Sequence, residues 1–260
     1  MRVHITGAGG FIGQHLAPAL VRAGHELQPA LPGAQTVVHL AGIAHRRAGA
    51  DELDEVNVRL AERVARQAAA EGARLVFLSS VKVHGEGSQA PLTERSPVRP
   101  QDAYGASKAR AEDALRATAG LRLTILRPPL VYGPGVKANF LALMRAIARG
   151  WPLPLAAIEN RRSFIYVGNL VDVITRVLAI EGTHLVSDGA PLSTPQLCRE
   201  LGEALGVRAR LFPFPRALLP GKLAASLEVD DTAFRRAAGW RPPFTRGQGL
   251  QATADWYRGR

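Results

Sequence analysis

A single cysteine, Cys198, stands in 260 residues, so no disulfide can form within the chain and a reducing cytoplasm is the expected setting. Long apolar runs are missing too. None approaches the roughly 18 residues that a membrane span requires. The start, "MRVHITGAGGFIG", shows no charged leader followed by an apolar segment and a small-residue cleavage site, so no signal peptide is expected. The seven histidines form no ligand-spaced cluster, and with one thiol in the chain no metal site is expected. Lysine is the scarcest charge: of 33 basic residues only Lys82, Lys108, Lys137 and Lys222 are not Arg. Where a generic cation suffices this chain uses Arg, so those four positions are where a compact, titratable ammonium is worth seeking. The net charge of +11 reads as compositional, because the arginines are scattered among acids, as in "DELDEVNVRLAERVARQ", with no basic block beyond pairs. Nucleic acid is therefore not an expected partner.

What is present is the composition of a globular protein, 47% apolar and 21% charged, long enough to bury one substantial core. The runs "RVHIT", "TVVHLAG", "ARLVFLSS" and "LRLTILRPP" read as buried strands. Residues 11–23, 51–71 and 104–117 read as helices between them. Near-continuous apolar strands alternating with helices mean an α/β fold with a parallel sheet covered on both faces. After Pro128 the rhythm changes to loops and helices, with a helix in "GNLVDVITRVLAI" and a strand in "THLVSDG". The expected division is a dinucleotide-binding part, 1–130 with 166–187, and a smaller, mostly helical lobe, 131–165 with 188–260. An amphipathic helix within 231–257 is a candidate for pairing subunits into a homodimer.

"TGAGGFIG" places Gly7, Gly10 and Gly13 directly after the first strand and at the start of a helix. In that position Gly7 allows a tight turn, Gly10 lets backbone approach a pyrophosphate at the helix N-terminus, and Gly13 lets helix and strand pack closely. A structural turn alone rarely needs all three. One stretch is short, however. Only "HELQPALPGAQ" separates Gly24 from the strand "TVVHL", room for one short strand and a loop, whereas each parallel crossover takes a dozen residues or more. Where an acid would hold an NAD ribose, or an Arg an NADP phosphate, the chain reads Leu27, Gln28, Pro29, Ala30. The sheet is thus a Rossmann-type parallel sheet shortened on its adenine side. Tyr104 and Lys108 in "YGASK" are four apart, on one helix face, and a nearby ammonium favours a phenolate. Ser79 and Ser80 end a strand, where open parallel sheets bind ligands.

With these motifs in order, "TGAGGFIG", "VVHLAG", "VNV", "FLSSVKVHGEG", "YGASK", "RPPLVYGPGVKANF" and "RRSFIYVGNLVDVI", the chain resembles the extended short-chain dehydrogenase/reductase family, and within it nucleotide-sugar epimerases and 4-keto-sugar reductases. The resemblance implies NAD, with NADP not excluded, held by Gly7, Gly10, Phe11, Ile12, Gly13, Ala41, Gly42, Asn57, Tyr104 and Lys108. It implies Tyr104, Lys108 and Ser80 as the catalytic set, Ser79 being left to bond locally. A nucleotide-sugar, UDP-linked in the nearest branch, would meet Ser80, Lys82, Asn139 and Arg162, with Arg161 the fallback for the diphosphate. Leu130 stands where many members carry Asn, which argues against a standard galactose epimerase. The shortened adenine side leaves a second expectation open, a nucleotide-binding or interaction protein without turnover.

Overall fold

The structure, a computed structural model, describes residues 1–44, 49–215 and 218–259. The chain runs β1 (Arg2–Thr6), α1 (Phe11–Arg22), β2 (Glu26–Gln28), β3 (Thr36–His39), α2 (Ala50–Leu53), a π-helical stretch (Asp54–Arg59), α3 (Leu60–Ala70) and β4 (Arg74–Leu78). A 3-10 turn (Val81–His84) leads to α4 (Ala103–Arg116), β5 (Arg122–Arg127), β6 (Leu130–Tyr132), α5 (Ala138–Ala148), β7 (Phe164–Tyr166) and α6 (Val167–Arg176). A second 3-10 turn (Val177–Ala179), β8 (Gly182–Leu185), α7 (Thr194–Leu205), α8 (Gly221–Ala224), α9 (Thr232–Ala238) and α10 (Arg246–Arg258) complete it.

Six strands pair in parallel in the order β2-β1-β3-β4-β5-β8, and β6 pairs with β7 in a separate parallel pair. The apolar runs have their reason in the two covered faces, since successive side chains of a strand point to opposite sides. Val38, Val76 and Leu126 pack with Leu16 and Leu20 of α1 and Leu170 and Ile174 of α6. Their neighbours Val37, Leu75 and Ile125 pack on the other side with Val58, Ala61, Val64 and Leu115.

The adenine-side edge is short, as the sequence implied. β2 is the outermost strand, and no strand lies beyond it among the described residues. Residues 29–35 return the chain to β3 without a helix. Leu31 and Ala34 of that loop are buried against Val37, Val58 and Ala61, so the loop fills the place a crossover helix would cover. The helix expected over 51–71 is continuous but widens into π geometry at Asp54–Arg59, and this stretch carries the fully buried Asn57. Such bulges are frequent at functional sites.

The smaller core joins Tyr132, Phe140, Met144 and Ile147 to Leu197 and Leu201 of α7 and Leu250 and Ala254 of α10. The stretch 231–257 is therefore two helices whose apolar residues are used within the chain: Phe234 of α9 and Trp240 join the main core, and α10 lies on α7. Phe244, between the two helices, is 43% exposed. No helix of the described residues is long and apolar enough to cross a membrane.

Candidate active site

A cavity of about 780 Å³ opens beyond the carboxyl ends of β3 and β4. Phe11, Ile12, Gly42, Ser80, Lys82, Tyr104, Lys108, Asn139 and Arg162 line it, which brings most of the sequence candidates to one place. All four lysines of the chain line it as well, Lys137 and Lys222 with the two already named. A chain that uses Arg elsewhere has gathered its compact ammonium groups around a single space.

The glycine turn leads into the cavity through Phe11 and Ile12, while Gly7, Gly10, Gly13 and Ala41 are not among the lining residues. Gly7 has φ +74°, and a side-chain carbon there would stand 2.7 Å from the Ala41 amide nitrogen. At Gly13 it would stand 2.5 Å from the Gly7 and Ala8 carbonyl oxygens, so β1, β3 and α1 meet only because these side chains are absent. Gly10 caps α1 with no side-chain bond, and the first turn holds no acid. The free N–H groups there would meet an anion with no side chain competing. Ala41 and Gly42 follow β3 beside this turn.

α4 starts at Asp102, whose carboxylate accepts from the Gly105 N–H at 2.6 Å. A side chain at Gly105 would meet the Lys82 carbonyl at 2.5 Å. The glycine in "YGASK" thus lets α4 seat on the 3-10 turn and brings Tyr104 to Ser80. Both side chains line the cavity, with the Ser80 hydroxyl beside the phenol. Ser80 also caps the turn, accepting from the Lys82 N–H at 3.2 Å. Ser79 bonds locally, donating to Glu112 at 2.5 Å.

The free chain departs from the sequence expectation at one point: Tyr104 is not acidified. Burial pushes its phenol up to about 12; the Ser80 hydroxyl opposes this, while the Asp102 charge adds to it. Lys108 Nζ instead donates to the Leu78 carbonyl at 2.8 Å and sits 4.6 Å over the Phe77 ring. Burial brings the Lys108 ammonium down to about 8, against the pull of Glu112 one turn further on. Asn57 is a clamp. Its carbonyl accepts from the Ile43 N–H at 2.8 Å, and its amide donates to the Ile43 carbonyl at 3.1 Å and to Ser107 at 2.9 Å. It ties the loop after β3 to α4 and does not itself line the cavity.

Lys82 is committed to an ion-pair cluster, 2.7 Å from Asp102 and 3.0 Å from Glu86. Burial works against its ammonium, but the two carboxylates outweigh this and its pKa is raised. Glu86 also meets Lys222 at 3.3 Å, bridging segments far apart in the chain. Between Arg161 and Arg162 the fold decides. Arg161 is exposed and paired with Glu228 at 2.7 Å. Arg162 reaches the cavity, donating to the Lys222 and Ala225 carbonyls at 3.0 and 3.1 Å, and among the described residues it has no ion-pair partner. Burial lowers its pKa, so an anion would be welcome there. Lys137 and Asn139 flank Ala138, which holds φ +51°, a strained value for a residue other than glycine. Both side chains are exposed and make no hydrogen bond among the described residues.

Sequence reasoning missed Asp102, Glu86, Glu112 and Arg127. Asp102 carried a readable signal, an acid just ahead of a helix. Glu112 was readable as the next turn after Lys108. His84, by contrast, has a structural place: Nδ1 bonds the Pro97 carbonyl at 3.0 Å and Nε2 accepts from Arg127 at 3.1 Å. His39 is fully buried, bonded through Nδ1 to Thr6 at 2.7 Å, while its Nε2 has no partner among the described residues. Burial first, then Lys108, pushes it down to about 3 from 6.5. Between those values the unfolded chain binds the proton and the folded chain does not, so stability falls as pH drops through that window. Unfolding by urea at about pH 7 and about pH 4.5 should show this loss, and His39→Asn should reduce it. An equal loss in both proteins would assign the acid limb elsewhere.

A shortened doubly wound sheet with a glycine turn facing a Tyr-Ser-Lys cluster defines a dinucleotide-dependent enzyme class. The chain belongs to the NAD dependent epimerase/dehydratase family, whose sequence profile matches residues 27–185. It is similar to the UDP-glucose 4-epimerase of Vibrio cholerae, 36% identical over 90% of this chain and 80% of that protein. It is also similar to the N-acetyl-alpha-D-glucosaminyl-diphospho-ditrans,octacis-undecaprenol 4-epimerase of Escherichia coli O157:H7, 29% identical over 91% of this chain and 81% of that protein. Among solved structures, RMD from Pseudomonas aeruginosa complexed with NADPH superposes with a TM-score of 0.82 at 22% identity, covering 100% of this chain and 99% of that one. The UDP-N-acetylglucosamine 4-epimerase from Bacillus cereus superposes at 0.86 with 18% identity over the whole of both chains. At those identities the two structures speak for the fold.

Proposed function

We propose that this chain is an NAD(P)-dependent oxidoreductase or epimerase acting at C4 of a nucleotide-linked sugar, UDP-linked in the first instance. The observation that carries the reading is convergence: Phe11 and Ile12 at the end of the glycine turn, Tyr104 with Ser80, and Arg162, which has no ion-pair partner among the described residues, all line one cavity. The uncapped, acid-free start of α1 and the space left by Gly7 and Gly13 fit a dinucleotide pyrophosphate, and Phe11 and Ile12 line the cavity beside it. A dinucleotide held there would give the hydride when C4 is reduced and accept it when C4 is oxidised. Everything else falls to the chain. Tyr104 carries the proton at O4, Ser80 aligns its hydroxyl, and Lys108 holds positive charge beneath the site, anchored on the Leu78 carbonyl. Arg162, Lys137 and Asn139 bind the diphosphate, guanidinium and ammonium meeting phosphate oxygens. In this reading residues 1–130 with 166–187 hold the cofactor, and 131–165 with 188–260 hold the sugar nucleotide.

A phenol raised to about 12 is protonated at neutral pH, the form that delivers a proton to a 4-keto oxygen. The first reading is 4-keto-sugar reduction in surface-polysaccharide precursor synthesis. Epimerisation is the second reading, supported by the relative from Vibrio cholerae. Cytoplasmic location suits Cys198, which is buried and inert, its thiol pushed up to about 12 by burial. The test supplies NADH or NADPH with a UDP-4-keto sugar, and separately UDP-hexoses alone. Cofactor oxidation in the first case marks a reductase, and interconverted hexoses in the second an epimerase. Neither activity, with dinucleotide still bound, would leave a binding protein without turnover. Arg162→Ala should raise KM about 10- to 100-fold with kcat nearly kept, the loss of a charge-assisted phosphate contact. An unchanged KM would remove Arg162 from the diphosphate site.

A further inference from the structure

The net charge is not evenly spread once the chain folds. No Asp or Glu occurs between Asp113 and Glu159, or between Glu203 and Glu228. From Pro128 onward the first gap holds Lys137, Arg145 and Arg149, and the second holds Arg208, Arg210, Arg216 and Lys222. The fold joins the two gaps. The Leu153 N–H donates to the Arg210 carbonyl at 2.8 Å, and the Phe212 N–H to the Leu153 carbonyl at 3.0 Å. Arg210 also donates to the Gly150 carbonyl at 3.4 Å, and Arg149 lies 5.4 Å over the Trp151 ring. Arg145 is one turn before Arg149 on the same helix face.

These two basic segments, which carry no acid of their own and meet Glu86 only at Lys222 among the described residues, also expose large apolar side chains. Trp151 is 55% exposed, Phe212 40%, Leu218 71% and Leu223 43%. Phe212 and Phe214 meet edge-on at 6.5 Å. One exposed apolar residue is ordinary; several sharing two paired segments mark a contact surface. The second segment then runs on to Lys222, at the cavity.

We propose that this face docks on an anionic lipid surface, with Trp151, Phe212, Leu218 and Leu223 entering the headgroup boundary and Arg149, Arg208 and Arg210 pairing with lipid phosphates. The chemistry selects this occupant among the alternatives. A second copy in a two-fold contact would set these arginines against their own images with no acid to pair them. Nucleic acid would satisfy the charge and stack on the rings, but not the aliphatic Leu218 and Leu223. A lipid interface takes both, apolar side chains below and basic ones above. The proposal rests on this surface alone and is independent of the reaction assigned to the cavity.

The full chain is mixed with sedimentable vesicles of phosphatidylcholine, with and without phosphatidylglycerol, at low and high salt. Binding to the phosphatidylglycerol vesicles at low salt should exceed binding to pure phosphatidylcholine about tenfold, and high salt should release much of the protein. The triple variant Trp151→Ser, Phe212→Ser, Leu218→Ser should lose about tenfold in binding while keeping its melting temperature and its dinucleotide binding. Arg149→Glu with Arg210→Glu, which keeps every one of these apolar side chains, should lose binding to the same degree. Absent or lipid-indifferent binding, or wild-type binding by both variants, would overturn the proposal. So would a dimer abolished by the triple variant, or retention on duplex DNA with no vesicle binding.

Discussion

Tyr104→Phe should lower turnover by about two to four orders of magnitude while leaving dinucleotide and nucleotide-sugar affinity within about threefold, the loss expected for a proton carrier. The substitution removes one oxygen and keeps the ring that lines the cavity. Ser80 lines the cavity beside that oxygen, so Ser80→Ala should cost turnover too, though less, because the phenol remains. The free chain makes the expectation sharper. With its phenol at about 12 and Lys108 turned to the Leu78 carbonyl, Tyr104 rests as a proton donor. Steady-state rates and binding isotherms for wild type and variant decide the matter. A drop of less than about tenfold would mean that the proton at O4 travels by another group.

Glu112→Ala should destabilise the fold by about 3–5 kcal/mol, the cost of orphaning a buried charge. Glu112 is 1% exposed and Arg127 3%. The carboxylate accepts from Arg127 Nε at 2.9 Å and Nη2 at 2.5 Å, from Ser79 at 2.5 Å and from Arg116 at 2.8 Å. Burial opposes its charge, yet these bonds outweigh burial and hold the carboxyl below its ordinary value. Without it Arg127 keeps only His84. Against a typical total of about 5–15 kcal/mol the loss should move a urea midpoint far. Arg116→Ala should cost under about 1 kcal/mol, because that partner is 41% exposed and solvent screens it. Equal, small effects from both would mean that the network under β4 and β5 is not a stabilising unit.

The sequence was most informative where spacing alone fixes geometry. Apolar runs located β1, β3, β4 and β5; the glycine turn and the i, i+4 pair Tyr104–Lys108 followed from local periodicity. The missing crossover was legible from the eleven residues before "TVVHL", but not that Leu31 and Ala34 would fill its place. What escaped depends on contacts between distant segments. Lys82 finds Asp102 twenty residues away, and Glu86 finds Lys222 from another lobe. The charge looked scattered because its clustering requires the pairing of Leu153 with Leu211. Lys108 was expected to acidify Tyr104 from helix spacing. Which way its ammonium turns is set by a carbonyl on β4 and the ring beside it.

Native mass spectrometry of the full chain, with and without added NADH and NADPH, puts the weakest joint under load: whether an α/β sheet trimmed beside β2 still grips a dinucleotide. A peak heavier by one dinucleotide, either as purified or on addition at micromolar to low millimolar levels, is the result to expect. A bare-chain mass under every condition, up to millimolar of both cofactors, would contradict the reading of residues 7–13 and the chemistry built on it.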